Sequence, residues 1–120
     1  MPFAPVTKKT TGLVGLAVCR NPQYILCGLY DKILRAIQKM PENAAYRKYT
    51  AEIVSFRLSI VKKACKAEDI EEAIKCGQCE ELIVQAENEL HLARRMTKWK
   101  PWEKLVNKPH PHQWTWPPPK

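Results

Sequence analysis

The fold is decided by the stretch from Asn21 to Pro41, which reads NPQYILCGLYDKILRAIQKMP. Asparagine caps helices well and proline is tolerated at the first helical position, so Asn21-Pro22 predicts a helix start. Apolar side chains then recur at steps of three and four residues, the spacing of one helix face. They are Leu26, Leu29, Tyr30, Ile33, Ile37 and Met40, with Leu34 at the edge of the stripe. Pro41 ends the helix, because proline has no amide hydrogen to donate.

Two further long helices follow with the same spacing of apolar residues. The second begins after Asn43, which can cap it. The last runs from about Gln78 to about Thr97, with acids in its first turn and bases in its last, which complements the helix dipole. Between them, the acids of Asp69–Glu72 suit the N-terminus of a short helix that stops near Gly77. The pattern predicts an all-α fold, an antiparallel three-helix bundle. The two apolar faces comprise Tyr46, Tyr49, Ile53, Phe56, Ile60 and Ala64, and Leu82, Ile83, Ala86, Leu90, Ala93 and Met96.

The chain changes character after the last helix. Six of its ten prolines fall after Lys100, and the four tryptophans lie between Trp99 and Trp116. Because proline interrupts helices, this segment is expected to form an extended Trp/Pro-rich C-terminal tail. We therefore divide the chain into a basic and apolar N-terminal arm (1–20), a three-helix bundle (21–98) and an extended docking tail (99–120).

The four tryptophans of the tail need a surface to cover them, since exposed indole rings promote aggregation. Trp99 and Trp102 are close enough to the last helix to pack against its end. Trp114 and Trp116 either fold back on the helices or anchor in another protein, and the sequence leaves both arrangements open.

The formal net charge of +8 is concentrated at the two ends of the chain. Residues 1–30 carry three bases and no acid, and residues 94–120 carry seven bases and one acid. Residues 31–93 are close to balance, with ten bases and eleven acids. Such ends suit an acidic partner, whether a protein, an anionic membrane surface or nucleic acid. No apolar run approaches the roughly 20 residues that a membrane-spanning helix needs.

Cys76-Gly-Gln-Cys79 is the motif with the most chemical potential. A CxxC pair at a helix N-terminus can hold a reactive thiolate, and with His110 and His112 it could bind zinc. However, no βαβ pattern surrounds the pair, and the distance to the histidines is not a familiar zinc spacing. We expect cysteines that are incidental to a helix junction, with a zinc site or a redox site as the alternatives.

Other kinds of chemistry lack a sequence signal. No phosphate loop, dinucleotide fingerprint or nucleophile elbow is present, so we expect no catalytic residue and no cofactor. A basic tail interleaved with tryptophan could stack on bases, although no recognisable nucleic-acid module accompanies it. The alternatives to a protein-docking role are therefore a basic Trp-rich RNA-associated protein and a small CxxC redox or zinc protein.

Several segments resemble the signatures of one mitochondrial family. Lys8–Val18 (KKTTGLVGLAV) is similar to its opening signature and Asn43–Thr50 (NAAYRKYT) to its central one. The resemblance continues through Gln85–Glu87, Glu89–Leu90 and Leu92–Arg94, and then through Trp99–Glu103 (WKPWE) and Gln113–Pro117 (QWTWP). The family is alpha-subcomplex subunit five, an accessory subunit of respiratory complex I (NADH:ubiquinone oxidoreductase).

The resemblance implies a non-catalytic subunit of the matrix arm, peripheral on the matrix side of the mitochondrial inner membrane. It would support electron transfer from NADH to ubiquinone by stabilising the assembly, without a cofactor of its own. Its partners would be core and accessory subunits of the peripheral arm, notably the 30-kDa core subunit, with no nucleic acid and no membrane span. Cys76 and Cys79 depart from the family pattern. The implied partner-binding residues are Trp99, Trp102, Trp114 and Trp116, followed by Tyr46, Arg47 and Tyr49.

Overall fold

The computed structural model describes residues 3–119, so Met1 and Pro2 of the predicted arm and Lys120 of the predicted tail lie outside the described residues. This part of the chain contains four helices and no strand, which confirms the all-α prediction. The acidic piece is a helix of its own, with Glu68 and Asp69 in its first turn. The three-helix bundle therefore stays a prediction. The helices are α1 (Pro22–Ile37), α2 (Ala45–Lys63), α3 (Ala67–Ile74) and α4 (Cys79–Trp99).

The ends of the helices differ from the sequence prediction at two places. α1 ends at Ile37, and the backbone N–H of Met40 then closes a tight turn onto the Ile37 carbonyl at 3.1 Å. Pro41 prevents the helix from resuming after this turn, because the residue before a proline, here Met40, avoids the helical conformation. The predicted cap at Asn43 is wrong, since Ala44 holds the N-cap position of α2 without a side-chain hydrogen bond.

α1 occupies the centre of the fold. It packs against both α2 and α4, and these two helices approach each other far less than either approaches α1. α2 is antiparallel to α1, because Gln23 at the start of α1 donates to the carbonyls of Val61 and Ala64 at the end of α2, at 2.9 and 3.2 Å. α4 is parallel to α1, because its first residues lie beside the chain that enters α1. The core of the fold comprises Leu26, Tyr30, Ile33, Ala36, Ile37, Met40, Ala44, Val54, Leu58, Val61, Ile70, Cys79, Leu82, Ala86, Leu90 and Ala93.

The apolar face of α2 is turned away from its predicted orientation. The side chains of Tyr49, Ile53 and Phe56 are 67%, 54% and 60% exposed, although the spacing places them on a core-facing stripe. The residues that α2 buries are Thr50, Val54, Leu58 and Val61, one or two positions further along the chain. Each residue turns a helix by about 100°, so this row faces a different direction. Smaller side chains on the buried row let α2 lie close to α1, and the larger ones are left facing outward.

The N-terminal arm is fastened to the helices by a buried carboxylate. Glu80, in the first turn of α4, is 3% exposed and accepts a hydrogen bond from Lys8 at 2.5 Å. It also accepts from the backbone N–H of Cys19 at 3.2 Å. Lys8 donates in turn to Gln78 at 2.8 Å, and Gln78 donates to the carbonyl of Thr11 at 2.7 Å. We call this network the Glu80 latch; it holds the arm, the entry to α1 and the start of α4 together, because a buried charge needs partners.

The acidity of Glu80 reflects a balance of opposing effects. Burial alone raises the pKa of its carboxyl group. The hydrogen bonds from Lys8 and from the backbone N–H groups of Glu80 and Cys19 outweigh burial, so the net pKa is lowered. Glu80 is consequently held in its charged form by the latch.

Replacement of Glu80 by Gln tests the latch. We expect the free energy of unfolding to fall by about 1–3 kcal/mol at neutral pH, because Lys8 loses its anionic partner. Since the pKa of Glu80 is lowered in the folded state, its contribution is present above its ordinary pKa of 4.5 and is lost as the pH falls through the folded-state pKa. In urea titrations the deficit of Glu80→Gln should therefore shrink in acid. Glu87→Gln, at an exposed position of α4, is the control. A deficit that did not change with pH would contradict the latch.

Candidate protein-docking site

A groove opens between α2 and α4 because both helices rest on α1. Its volume is about 470 Å³, and the buried side chains of Tyr30 and Ile33 from α1 line it between the two helices. We call it the α2–α4 groove. Its lining residues are Tyr30, Ile33, Thr50, Ile53, Val54, Arg57, Gln85, Ala86, Asn88, Glu89 and Leu92.

The groove contains a buried hydroxyl group without a partner. Tyr30 is 2% exposed, and among the described residues its Oη is the buried side-chain atom that has no hydrogen-bond partner. Arg57 lies near enough to affect the pKa of Tyr30, which burial raises, but its guanidinium donates to Gln85 at 3.1 Å and to Cys76 at 3.5 Å. A buried polar group without a partner costs free energy.

The outward row of α2 forms one wall of this surface. We call Tyr49, Ile53 and Phe56 the α2 ridge; they follow at steps of four and three residues, so they lie on one face of the helix. Ile53 also lines the groove, which joins ridge and groove into one apolar surface. Exposed aromatic and aliphatic side chains of this kind, rimmed by polar residues, are typical of a protein-docking surface.

The other predicted partner-binding residues of the central signature have contacts within the chain. The hydroxyl of Tyr46 donates to the carboxylate of Glu89, so it ties the start of α2 to α4 across one end of the groove. Burial and the Glu89 carboxylate raise the pKa of Tyr46. Arg47 donates to the carbonyl of Met40 at 2.5 Å and so fixes the turn between α1 and α2. Both residues position the ridge and the groove, and Tyr49 is the member of the set that is exposed.

Beyond Lys100 the described part of the C-terminal tail is irregular and, apart from Trp102, exposed. That residue has a left-handed backbone (φ 53°) and Pro101 follows it, which ends α4. The expected continuous extension is interrupted by turns, in which Gln113 and Thr115 donate to carbonyls three residues earlier at 3.1 Å.

The four tryptophans are placed differently from one another. Trp102 is half-buried and packs against the core, as expected of a residue that staples the end of α4. Trp99 is 62% exposed and does not follow that expectation. Trp114 and Trp116 are 91% and 86% exposed, so neither packs back on the helices.

A second exposed apolar feature was missed by the sequence reasoning. The hydroxyl of Thr11 donates to the carbonyl of Leu16 at 2.6 Å and closes a loop whose tip exposes Leu13 and Val14. Gly12 and Gly15 have φ of 74° and 76°, a backbone region that suits glycine. The two glycines of the opening signature were the signal for this turn. The loop projects from the arm next to the Glu80 latch.

The structure disfavours redox chemistry at the CxxC motif. Cys79 is 1% exposed, and its thiol points at the Ala67 carbonyl at 3.6 Å. Burial, followed by the charges of Glu71 and Glu80, raises the pKa of Cys79 to about 12, whereas a reactive thiol needs a lowered pKa. Within residues 3–119 no three His, Cys, Asp or Glu side chains come together as metal ligands. The motif instead serves the junction of α3 and α4, where Glu71 accepts from the Cys79 backbone N–H at 2.8 Å.

Comparison with known proteins decides the family. The model of a family described as "ETC complex I subunit conserved region" matches residues 15–81, which is more than half of the chain. The chain is 55% identical over 115 residues to NADH dehydrogenase [ubiquinone] 1 alpha subcomplex subunit 5 of Bos taurus, which covers 96% of this chain and 99% of the relative. The chain belongs to the complex I alpha-subcomplex subunit 5 family.

Other members of the alpha-subcomplex subunit 5 family extend the similarity beyond mammals. The probable Caenorhabditis elegans subunit is 46% identical over 110 residues, 92% of this chain and 73% of the relative. The Arabidopsis thaliana relative, whose name includes "mitochondrial", is 43% identical over 101 residues, 84% of this chain and 60% of the relative. The resemblance carried by Lys8–Val18 and Asn43–Thr50 is thereby confirmed. In the structure these two stretches form the latched arm and the start of α2. No helix within residues 3–119 is long and apolar enough to cross a membrane.

Replacement of Tyr30 by Phe tests whether its hydroxyl is unpaired in the free chain. We expect the free energy of unfolding to stay the same or to rise by about 1 kcal/mol, because the variant removes a desolvated hydroxyl without losing an intramolecular bond. Tyr46→Phe is the matched control and should lose about 1 kcal/mol or more, since its hydroxyl is bonded to Glu89. Both are measured by urea denaturation of the full chain. A clear loss of stability in Tyr30→Phe would show that the hydroxyl is already bonded.

Proposed function

We propose that this chain is a non-catalytic accessory subunit of the matrix arm of mitochondrial complex I. In this role it supports electron transfer from NADH to ubiquinone by adding interface area to the assembly, without taking part in the chemistry. Family membership and the names of the relatives support a place in complex I. The name of the Arabidopsis relative supports a mitochondrial location, and we propose a peripheral position on the matrix side of the inner membrane.

The observation that carries the proposal is the apolar surface that the chain leaves open. The α2 ridge and the α2–α4 groove expose side chains that the spacing suits to a core. An exposed apolar surface of this kind supports docking onto another protein. We propose core and accessory subunits of the peripheral arm as the partners, among them the 30-kDa core subunit.

Seven residues are proposed as the partner-binding set, in two roles. Tyr49 and the exposed indoles of Trp99, Trp114 and Trp116 make direct contact, because their rings offer large areas for burial. Tyr46, Arg47 and Trp102 act by holding that surface in place, since each has contacts within the chain. We thus propose that the N-terminal arm is a support held by the Glu80 latch. The three long helices form the scaffold, and the tail is the docking segment.

Two other classes of function find less support. A redox role is disfavoured by the buried Cys79 thiol with its raised pKa. A nucleic-acid role would use the tail tryptophans as a stacking platform, whereas the tail carries them on irregular turns rather than on a rigid sheet.

Native electrophoresis of mitochondria that express a tagged full-length chain tests the proposal. We expect the chain to co-migrate with NADH-oxidising activity in the size range of complex I. Its migration as a free protein, or with a species that nuclease treatment disperses, would overturn the proposal.

The contribution of the α2 ridge is tested by the double substitution Tyr49→Ser/Phe56→Ser. Because both side chains are exposed, the stability of the free chain should change by less than about 0.5 kcal/mol per site. Incorporation into the complex should weaken by about 2 kcal/mol or more if the ridge is a central anchor. Tyr24→Ser is the control, since Tyr24 is 79% exposed on α1 and lies outside the ridge and the groove. Equal incorporation of the ridge variant and the wild type would exclude the ridge.

The contribution of the tail is tested by truncation after Lys98. We expect the truncated chain to remain largely helical, because the described helices end at Trp99, while its incorporation into the complex is impaired. Trp114→Ala/Trp116→Ala separates the two roles of the tail: it should impair incorporation without a loss of stability, whereas Trp102→Ala should destabilise the free chain. Circular dichroism and native electrophoresis give the two readings. Normal assembly of both the truncated chain and the double variant would exclude the tail as an anchor.

A further inference from the structure

A second concave surface lies on the other side of α1, between α1 and the parallel α4. Its volume is about 580 Å³ and its base is formed by the small residues Ala36 and Thr97. All its other lining residues are cationic, and we call it the basic cleft. They are Lys32, Arg35 and Lys39 of α1 and its exit turn, and Arg94 and Lys98 of α4.

Within the described part of the chain, none of these five cations forms an ion pair. The ion pair found within residues 3–119 is that of Lys8 with Glu80, and none of the five side chains makes a hydrogen bond there. Five like charges around a cleft of about 580 Å³ repel one another. Ordinary protein surface mixes the two signs of charge, as the α2–α4 groove does with Arg57 and Glu89.

Favourable interaction with the helix dipoles explains some of these cations, but it does not explain why all five line one cleft. Cations near the ends of α1 and α4 interact favourably with the C-terminal partial charges of these helices. That effect acts within the last turn, and Lys32 lies more than one turn before the end of α1 at Ile37. Because α1 and α4 are parallel, their C-terminal ends lie side by side. The five cationic side chains near these ends line the same cleft.

The shape of the basic cleft indicates the chemistry of its occupant. From Lys32 to Lys39 the cations extend over roughly 10 Å at the rise of a helix, so the site is longer than a single anion. It contains no aromatic side chain, whereas sites for single-stranded nucleic acid combine cations with rings on which bases stack. A bilayer surface is flat and suits a convex polybasic patch better than a cleft. A protein segment with several carboxylates fits both the length and the charge, since arginine binds carboxylates in a bidentate manner.

We propose that the basic cleft binds an Asp- and Glu-rich segment of a neighbouring protein chain. The inference rests on the proposed function, because it supplies a second docking surface for the same subunit. The apolar α2–α4 groove and the basic cleft flank α1 on two sides. The subunit is thereby held by two neighbouring segments of different chemistry, one apolar and one acidic.

Carbodiimide coupling in the intact complex is the direct test, because this reagent joins amines only to carboxylates in contact. In purified complex that contains the chain, we expect Lys39 and Lys98 to form amide links with Asp or Glu side chains of another chain, identified by mass spectrometry. Lys63 and Lys66, which are exposed outside the cleft, provide the internal comparison. Treatment of the intact complex with an acetylating reagent gives a second measurement. If Lys39 and Lys98 were acetylated as readily as Lys63, the inference would be overturned. Lysines that become reactive only after phospholipase treatment would also overturn it, since a lipid would then fill the cleft.

Charge reversal gives an independent reading. Arg35→Glu/Arg94→Glu should lower incorporation about tenfold or more, as expected when a desolvated charge pair becomes repulsive. Lys63→Glu/Lys66→Glu alters the net charge by the same amount and should lower it less than about twofold. Arg35→Lys/Arg94→Lys keeps the charge but not the bidentate geometry, so it should lose less incorporation than the reversed variant. Circular dichroism of the free reversed variant shows whether it is folded. Equal losses in the two reversed variants would overturn the inference.

The outcomes for the basic cleft and for the proposed function can be told apart. If the wild-type chain does not co-migrate with the NADH-oxidising complex, the proposed function fails. If it co-migrates but its cleft lysines remain free and the Arg35→Glu/Arg94→Glu variant assembles normally, only the acidic-segment inference fails.

Discussion

The parallel packing of α1 against α4 is the constraint on which the rest of the structure depends. Two parallel helices require a long connection, which is supplied by α2 and α3. At their starts Glu80 joins the arm, the entry to α1 and the first turn of α4 in one network. At their ends the same arrangement brings Arg35 and Arg94 into one cleft. A buried carboxylate and a convergence of cations thus lie at opposite ends of one helix pair.

The central position of α1 determines which apolar surfaces stay open. Because α2 and α4 both rest on α1, their own contact is small and a groove remains between them. α2 has two apolar rows, and it buries the one with smaller side chains, which approaches α1 closely. The bulkier row of Tyr49, Ile53 and Phe56 faces outward. Three such side chains exposed beside a groove form a surface of the kind that is typical of protein docking.

The contacts of the two signature stretches give them physical roles. In the opening stretch Lys8 and Thr11 belong to the Glu80 latch. Two glycines shape the loop whose tip exposes Leu13 and Val14. In the central stretch Tyr46 and Arg47 fix the start of α2 against Glu89 and Met40. In each stretch some residues therefore hold the backbone in place, while neighbouring residues are exposed.

The sequence by itself determined the helical fold, the stripes of α1 and α4, and the family, because these depend on local spacing and on motifs that are contiguous in the chain. The direction of the α2 ridge was decided only by tertiary structure: a helix with two apolar rows can bury either, and packing against α1 selects between them. The charge count places the excess of bases at the chain ends, yet Arg35 and Arg94 meet in a cleft that is formed by residues distant in sequence. The sequence could not reveal the unpaired Tyr30 hydroxyl either, because whether a hydroxyl is bonded depends on all the neighbours that the fold brings near it.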